Sequence, residues 1–190
     1  MLAKKGNSRH KKIGKLYFYA MLTASVAAIP MSCLHPNYFL FLISIFTIYM
    51  LLTGVRYVHK KGTSQADTMD WLLTIMMLLF AIAFIGFGAF HMVKGNYFGI
   101  VFIVFGGFGL SFSYQDYINF TGQSKVVNYY LTTHLQRLTG SYIASTTAFL
   151  VVNNKVLPSI AAWLLPTILI VPLIVNWTNK HKVEKIKTNL

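Results

Sequence analysis

Three side chains in a mostly apolar chain have the types and spacing to do chemistry: Asp116, His134 and Arg137. A carboxylate and a guanidinium pair naturally. Pairing offsets the cost of about 2.5–3.5 kcal/mol that insertion scales give a charge at the centre of a membrane helix. His134 precedes Arg137 by three residues, so a helix places both on one face. Two readings follow. In the first, Asp116 and Arg137 clamp two helices together. In the second, the three residues form a cytoplasm-facing polar pocket for a lipid-like or quinone-like ligand. Arg137 then holds an anionic or carbonyl group, His134 exchanges a proton, and Asp116 orients Arg137.

The other histidines supply a third reading. His10, His59 and His134 fall on the inner side of the expected topology, His35 and His91 on the outer, and His181 in the tail. Two histidines at one level ligate a haem iron from opposite faces in membrane cytochromes b. Here haem b would take His10 or His59 with His134 at the inner side, or His35 with His91 at the outer. The objection is their position at helix ends and turns, where a solvated imidazole is ordinary. Other chemistries lack their residues: there is no Gly-rich phosphate loop, no H-E-x-x-H and no carboxylate pair set for acid/base work. The single cysteine, Cys33, excludes an intramolecular disulfide, a thiolate zinc site and an iron–sulfur cluster. Asp67 and Asp70 stand just before Trp71 and read as the polar start of a helix. Whether the protein is an enzyme stays open.

The elements that position these residues are membrane helices. The 190 residues hold 17 Lys+Arg against 4 Asp+Glu, a net charge of +13, yet 55% are hydrophobic and only 11% charged. A basic nucleic-acid binder would carry more charge and no apolar runs near span length, so nucleic acid is not an expected partner. The 15% aromatic content excludes disorder. An all-α, polytopic bundle of about six spans is expected, at 16–32, 38–58, 71–93, 97–114, 138–152 and 157–177. The fifth is short and is extended by helix from about 126. The whole chain reads as one transmembrane domain, with basic ends at 1–12 and 180–190. Lysines before the first span imitate a signal peptide, and 29–33 faintly resembles a lipoprotein cleavage site. Pro30 stands where a large aliphatic residue is normally needed, so a retained helix is expected.

Counting Lys and Arg by loop gives the direction. With the N-terminus inside, only Lys94 and Lys155 of the 17 fall outside, which places both termini in the cytoplasm. Small residues at spacing four mark expected contact faces, Ala20, Ala24 and Ala28 on the first span and Gly140, Ala144 and Ala148 on the fifth, and Gly106, Gly109 and Ser113 share a face of the fourth at 100° per residue. His10, Asp116, His134 and Arg137 continue these faces at the inner end, inside the bundle. Pro166 and Pro172 strip the Ala162 and Ile168 carbonyls of their helical donors. This gives a kink, or a carbonyl pair for an ion or substrate as in broken transporter helices; no matching break in another half supports the latter.

The chain resembles an uncharacterised family of small bacterial multi-pass proteins, a domain of unknown function. The likeness rests on His10 through Gly14 to Tyr17 (H-x-x-x-G-x-x-Y), the glycine-rich run Gly106–Asp116, and His134-Leu-Gln-Arg137-Leu-Thr-Gly140-Ser-Tyr142-Ile143-Ala144 continuing to Asn153. A proline-containing last helix completes it, so the likeness covers nearly the whole chain. It implies that His10, Asp116, His134, Arg137 and Asn153 belong to the family pattern. It implies no activity. Beside the ligand pocket and the haem protein, a structural or accessory membrane subunit is the remaining reading. Membrane lipids and a small hydrophobic ligand are the expected partners.

Overall fold

The computed structural model describes residues 7–60, 65–153, 155, 156 and 158–183. Six helices follow one another: α1 (Ser8–Leu34), α2 (Tyr38–Lys60), α3 (Thr68–Val93), α4 (Gly99–Phe120), α5 (Tyr129–Val152) and α6 (Ser159–His181). No strand occurs among the described residues. Four helices are long and apolar enough to cross a membrane: α1, α2, α3 and α6. The protein is thus an all-helical membrane protein, as its sequence leads one to expect. Helices α4 and α5 fall short because they carry the polar residues on which the site depends.

Each expected span is found as a helix, several longer than their apolar parts. Helix α1 begins at Ser8, capped by the Asn7 side chain, so its basic first turns precede the apolar run. Helix α4 runs on to Phe120 and takes Asp116 into its last turns. Helix α6 continues unbroken through Pro166 and Pro172. Of the basic ends, residues 1–6 and 184–190 lie outside the described part.

Glycine sets two of the helix ends. Gly95 and Gly122 adopt φ of +80° and +74°. This left-handed turn lets the N–H groups of Asn96 and Gln123 reach back to the carbonyls of His91 and Ile118, at 2.9 and 3.1 Å. Both chain reversals are therefore written into the sequence.

Helix α2 forms the centre. Its Phe39, Leu42, Phe46 and Met50 are buried against Met77 and Ala81 of α3, Phe105 of α4 and Ala144 of α5. Two of the three small-residue faces are contact faces. A Cβ on Gly106 would lie 2.9 Å from the Ala81 carbonyl, and one on Gly109 would lie 2.9 Å from the Ala81 Cβ, so α4 packs backbone-close on α3. On α5, a Cβ on Gly140 would meet the Met50 sulfur at 2.8 Å. The alanine stripe of α1 is a correction. Ala20 and Ala24 are exposed, and Ser25 and Ser32 are buried instead. Helix α1 packs chiefly on α2, and a hydrogen bond of 2.9 Å between the Tyr17 hydroxyl and Ser141 Oγ ties it to α5.

At the end of the bundle that carries Arg56, Lys60, Lys125 and Lys182, here the basic end, the α4–α5 loop is stitched to the end of α6. The Val127 N–H donates to the Val183 carbonyl at 2.7 Å. Asn128 donates through Nδ2 to the His181 carbonyl at 2.7 Å and accepts from the Val183 N–H at 2.9 Å. Elsewhere α6 rests mainly on α5 and barely touches α4.

Candidate functional site

Asp116 and Arg137 meet as expected and are fully buried, with an Arg137 Nη2 to Asp116 Oδ1 distance of 2.9 Å. The carboxylate collects two more donors and a nearby hydroxyl. Tyr57 donates to Oδ1 at 2.8 Å, Tyr49 donates to Oδ2, and the Thr74 hydroxyl lies 3.3 Å from Oδ2 and 3.0 Å from the Asp70 carbonyl, between which its one proton is shared. Asn119, one turn after Asp116, donates to the Tyr57 hydroxyl at 3.2 Å and to Thr133 Oγ1 at 3.4 Å. One carboxylate thus joins α2, α3, α4 and α5. In hydrocarbon, where water supplies no donors, this network is what makes a buried carboxylate tolerable.

Arg137 is less well served. Its Nη2 also donates to the Phe112 carbonyl at 3.0 Å, while Nε and Nη1 have no partner. The guanidinium lies between two rings instead, 4.0 Å from the Phe112 centroid and 4.9 Å from that of Tyr49. Aromatic faces attract a cation, and desolvation strengthens the effect. Gly54 makes room for this side chain: a Cβ there would lie 2.9 Å from the Arg137 Cβ.

His134 does not join the pair. Its Nδ1 donates to the Gly54 carbonyl at 2.7 Å, which leaves Nε2 with the lone pair. His10 stands in the first turn of α1 and His59 in the last turn of α2. His59 repeats the pattern, with Nδ1 2.9 Å from the Val55 carbonyl. Asn153 caps the far end of α5 and donates to Phe149, about 24 Å along the helix from Arg137. It is not part of the same site, a separation that spacing alone foretells. In the last turn of α3 His91 packs on Phe87, 4.4 Å between centroids, and His35 is exposed after α1. Among the described residues no group of three His, Cys, Asp or Glu is placed to hold a metal.

Two cavities flank the hub. The smaller, about 200 Å³, opens between Thr53, Tyr57, Asp70, Asn119 and Tyr130. Beside it stands a four-charge corner. Arg56 bonds Asp70 at 2.5 Å and Asp67 at 2.6 Å, and Lys60 contacts both carboxylates. Asp67 also caps α3 in a capping box with Asp70, which bears out the helix-start reading of these two residues. The Asp70 backbone N–H, then Arg56 and Lys60, hold the Asp67 carboxyl well below the usual carboxylate range.

The larger cavity, about 600 Å³, is a groove where α4 stands apart from α6, floored by α5 and the edge of α2. Phe105, Phe108, Phe112 and Val171 line its apolar length, and Gln115, Gln136, Lys125 and Lys182 its basic end. Gln115 Nε2 donates to Gln136 Oε1 across α4 and α5 at 3.0 Å. Thr167 and Thr178 of α6 also line the groove, only 8% and 3% exposed, and neither hydroxyl has a partner.

No family model, curated protein or solved structure matches this chain. Its chemistry is therefore read from its own residues. None of Asp116, His134 and Arg137 lines either of these two cavities; the ion pair joins α4 to α5, and Phe112, whose ring packs on the guanidinium, belongs to the groove wall. No histidine lines either of these two cavities. Sequence reasoning missed Tyr49, Tyr57, Thr74, Asn119 and Gly54. The signal for two of them lay in α2, where Tyr49, Thr53 and Tyr57 recur at spacing four in an apolar helix.

Proposed function

We propose that the protein is a multi-pass protein of the bacterial inner membrane that holds one lipid-like or quinone-like molecule in the groove between α4 and α6. All six helices cross the bilayer and both termini are cytoplasmic, a reading supported by the confinement of Lys and Arg, save Lys94 and Lys155, to one side. The family likeness built on His10, Asp116, His134 and Arg137 accompanies this proposal and adds no activity to it. The Asp116–Arg137 hub acts as the frame of the groove.

The observation that carries the reading is the pair of unpartnered hydroxyls, Thr167 and Thr178, in the wall of a groove of about 600 Å³. A buried donor left unmade costs about 1–3 kcal/mol, and helical threonines ordinarily bond the carbonyl one turn back. Both residues belong to the groove wall, where a ligand polar group would supply the missing partner. That volume also lies within the usual range for small-molecule sites.

The test is solvent extraction and mass spectrometry of the purified full chain. One amphipathic molecule per protein is expected, and Val171→Trp, which fills the groove, should deplete it at least tenfold without loss of folded protein. Absence of any stoichiometric molecule from the wild type, or full retention by a folded Val171→Trp, would sink the proposal.

A further inference from the structure

Resting on that reading, we infer that the occupant is a phospholipid with an anionic phosphate headgroup, its phosphate at Lys125 and Lys182 and its acyl chain toward Thr167. The groove is graded along its length. Phe105, Phe108 and Val171 surround one part, and the charged residues of its lining are two lysines at one end, with no Asp or Glu anywhere along it. Neither lysine belongs to an ion pair among the described residues, although this end of the bundle also holds Asp67 and Asp70. Those two carboxylates are engaged by Arg56 and Lys60 rather than by the lysine pair.

The pair is also built rather than scattered. Lys125 stands two residues before Val127 and Lys182 one before Val183, and the Val127–Val183 and Asn128–His181 hydrogen bonds fasten these segments together. Asn179 and Ser124 add neutral polar groups to the same end. A phosphate diester needs cations and neutral donors together; a quinone carbonyl needs donors alone and gives two lysines no counter-charge. Length agrees as well. From Thr167 to Lys182 α6 rises about 22 Å, enough for a headgroup plus the roughly 15 Å of one leaflet's hydrocarbon. A free phosphate would occupy the lysine end and leave the aromatic length without an occupant.

The experiment is native mass spectrometry of the full chain released from nanodiscs made of equal parts phosphatidylglycerol and phosphatidylcholine with identical acyl chains. Wild-type protein is expected to retain one phosphatidylglycerol in preference to phosphatidylcholine. Lys125→Ala with Lys182→Ala should lower that preference roughly 30-fold, the factor expected of two lysine–headgroup attractions near a membrane surface. The bound lipid itself should remain, and Lys125→Arg with Lys182→Arg should restore the preference. Added glycerol phosphate should not displace the lipid; displacement by it at equal concentration would assign the site to a soluble anion and overturn the inference. Equal retention of the two lipids by the wild type, or an unchanged preference in the double alanine variant, also overturns it while leaving groove binding intact. Retention of neither lipid refutes groove binding itself.

Discussion

Replacing Asp116 by Asn tests the hub most severely. The amide keeps the shape and one acceptor oxygen but removes the charge on which Arg137, Tyr49, Tyr57 and Thr74 converge. Arg137 is fully buried, already lacks partners at Nε and Nη1, and has no way to shed its proton. An uncompensated buried cation costs about 3–5 kcal/mol. Arg137→Met strands the carboxylate instead. That group keeps the two tyrosine donors and can neutralise itself by binding a proton, so the expected loss is smaller, about 1–3 kcal/mol. The double variant carries no stranded charge. It should be no less stable than Asp116→Asn alone, which gives a coupling at least equal to the Arg137→Met loss, about 1–3 kcal/mol, above the roughly 0.6 kcal/mol of an average side-chain hydrogen bond between membrane helices. Unfolding in mixed micelles, followed by tryptophan fluorescence, measures all three. Equal losses in the two single variants with a coupling below about 0.5 kcal/mol would refute the account of an ion-centred hub. Exchanging the two charges should not rescue stability, because an aspartate at 137 would face the Phe112 carbonyl, which only accepts.

Other consequences are as open to measurement. Gly54→Ala should destabilise by about 1–3 kcal/mol, because the new Cβ meets the rigid stem of Arg137. Gly107→Ala, whose Cβ meets nothing within 4 Å, should be neutral or gain up to about 1 kcal/mol in the same assay. The depressed Asp67 carboxyl contributes stability above the ordinary carboxylate pKa of about 3.9, and loses it as pH falls toward its lower folded value. The difference in melting temperature between wild type and Asp67→Asn should therefore hold at pH 6 and shrink below about pH 4. Tyr17→Phe should loosen α1 from α5, seen as faster amide exchange in α1 with that in α3 unchanged. If the groove holds the ligand, protein from haem-replete cells should show no Soret band, since no histidine lines that groove; a stoichiometric band would move the ligand to the histidines.

The helices and the ion pair were legible in the sequence because hydrocarbon leaves few alternatives. Apolar runs must be helices, and a lone Asp116 and Arg137 near one level must find each other. Helix ends were legible where glycine followed, as at Gly95 and Gly122. What escaped was rotation. Ala20 and Ala24 have the spacing of a contact face, but α1 turns Ser25 and Ser32 inward, and nothing local distinguishes those choices. The same limit hid Tyr49, Tyr57 and Thr74, whose hydroxyls read equally as interface residues until a carboxylate is placed among them. The groove was invisible for another reason: it follows from the gap between α4 and α6, and no single residue encodes a gap.

A chain leaving the ribosome meets the members of the hub in a fixed order. Tyr49 and Tyr57 of α2 come first, then Thr74 of α3, then Asp116, and Arg137 last, 21 residues later. Helix α4 is too polar to rank with the four that can cross a membrane by themselves. Its glycine face fits closely on α3, and two tyrosine hydroxyls of α2 are already waiting for its carboxylate. Insertion is therefore expected to proceed as an α3–α4 hairpin whose acidic group is provisionally solvated by the protein, with α5 delivering the cation to a prepared place. The hydroxyls would act as a stand-in for water during assembly, and a chain lacking them should stall with α4 on the wrong side of the bilayer surface even when Arg137 is present.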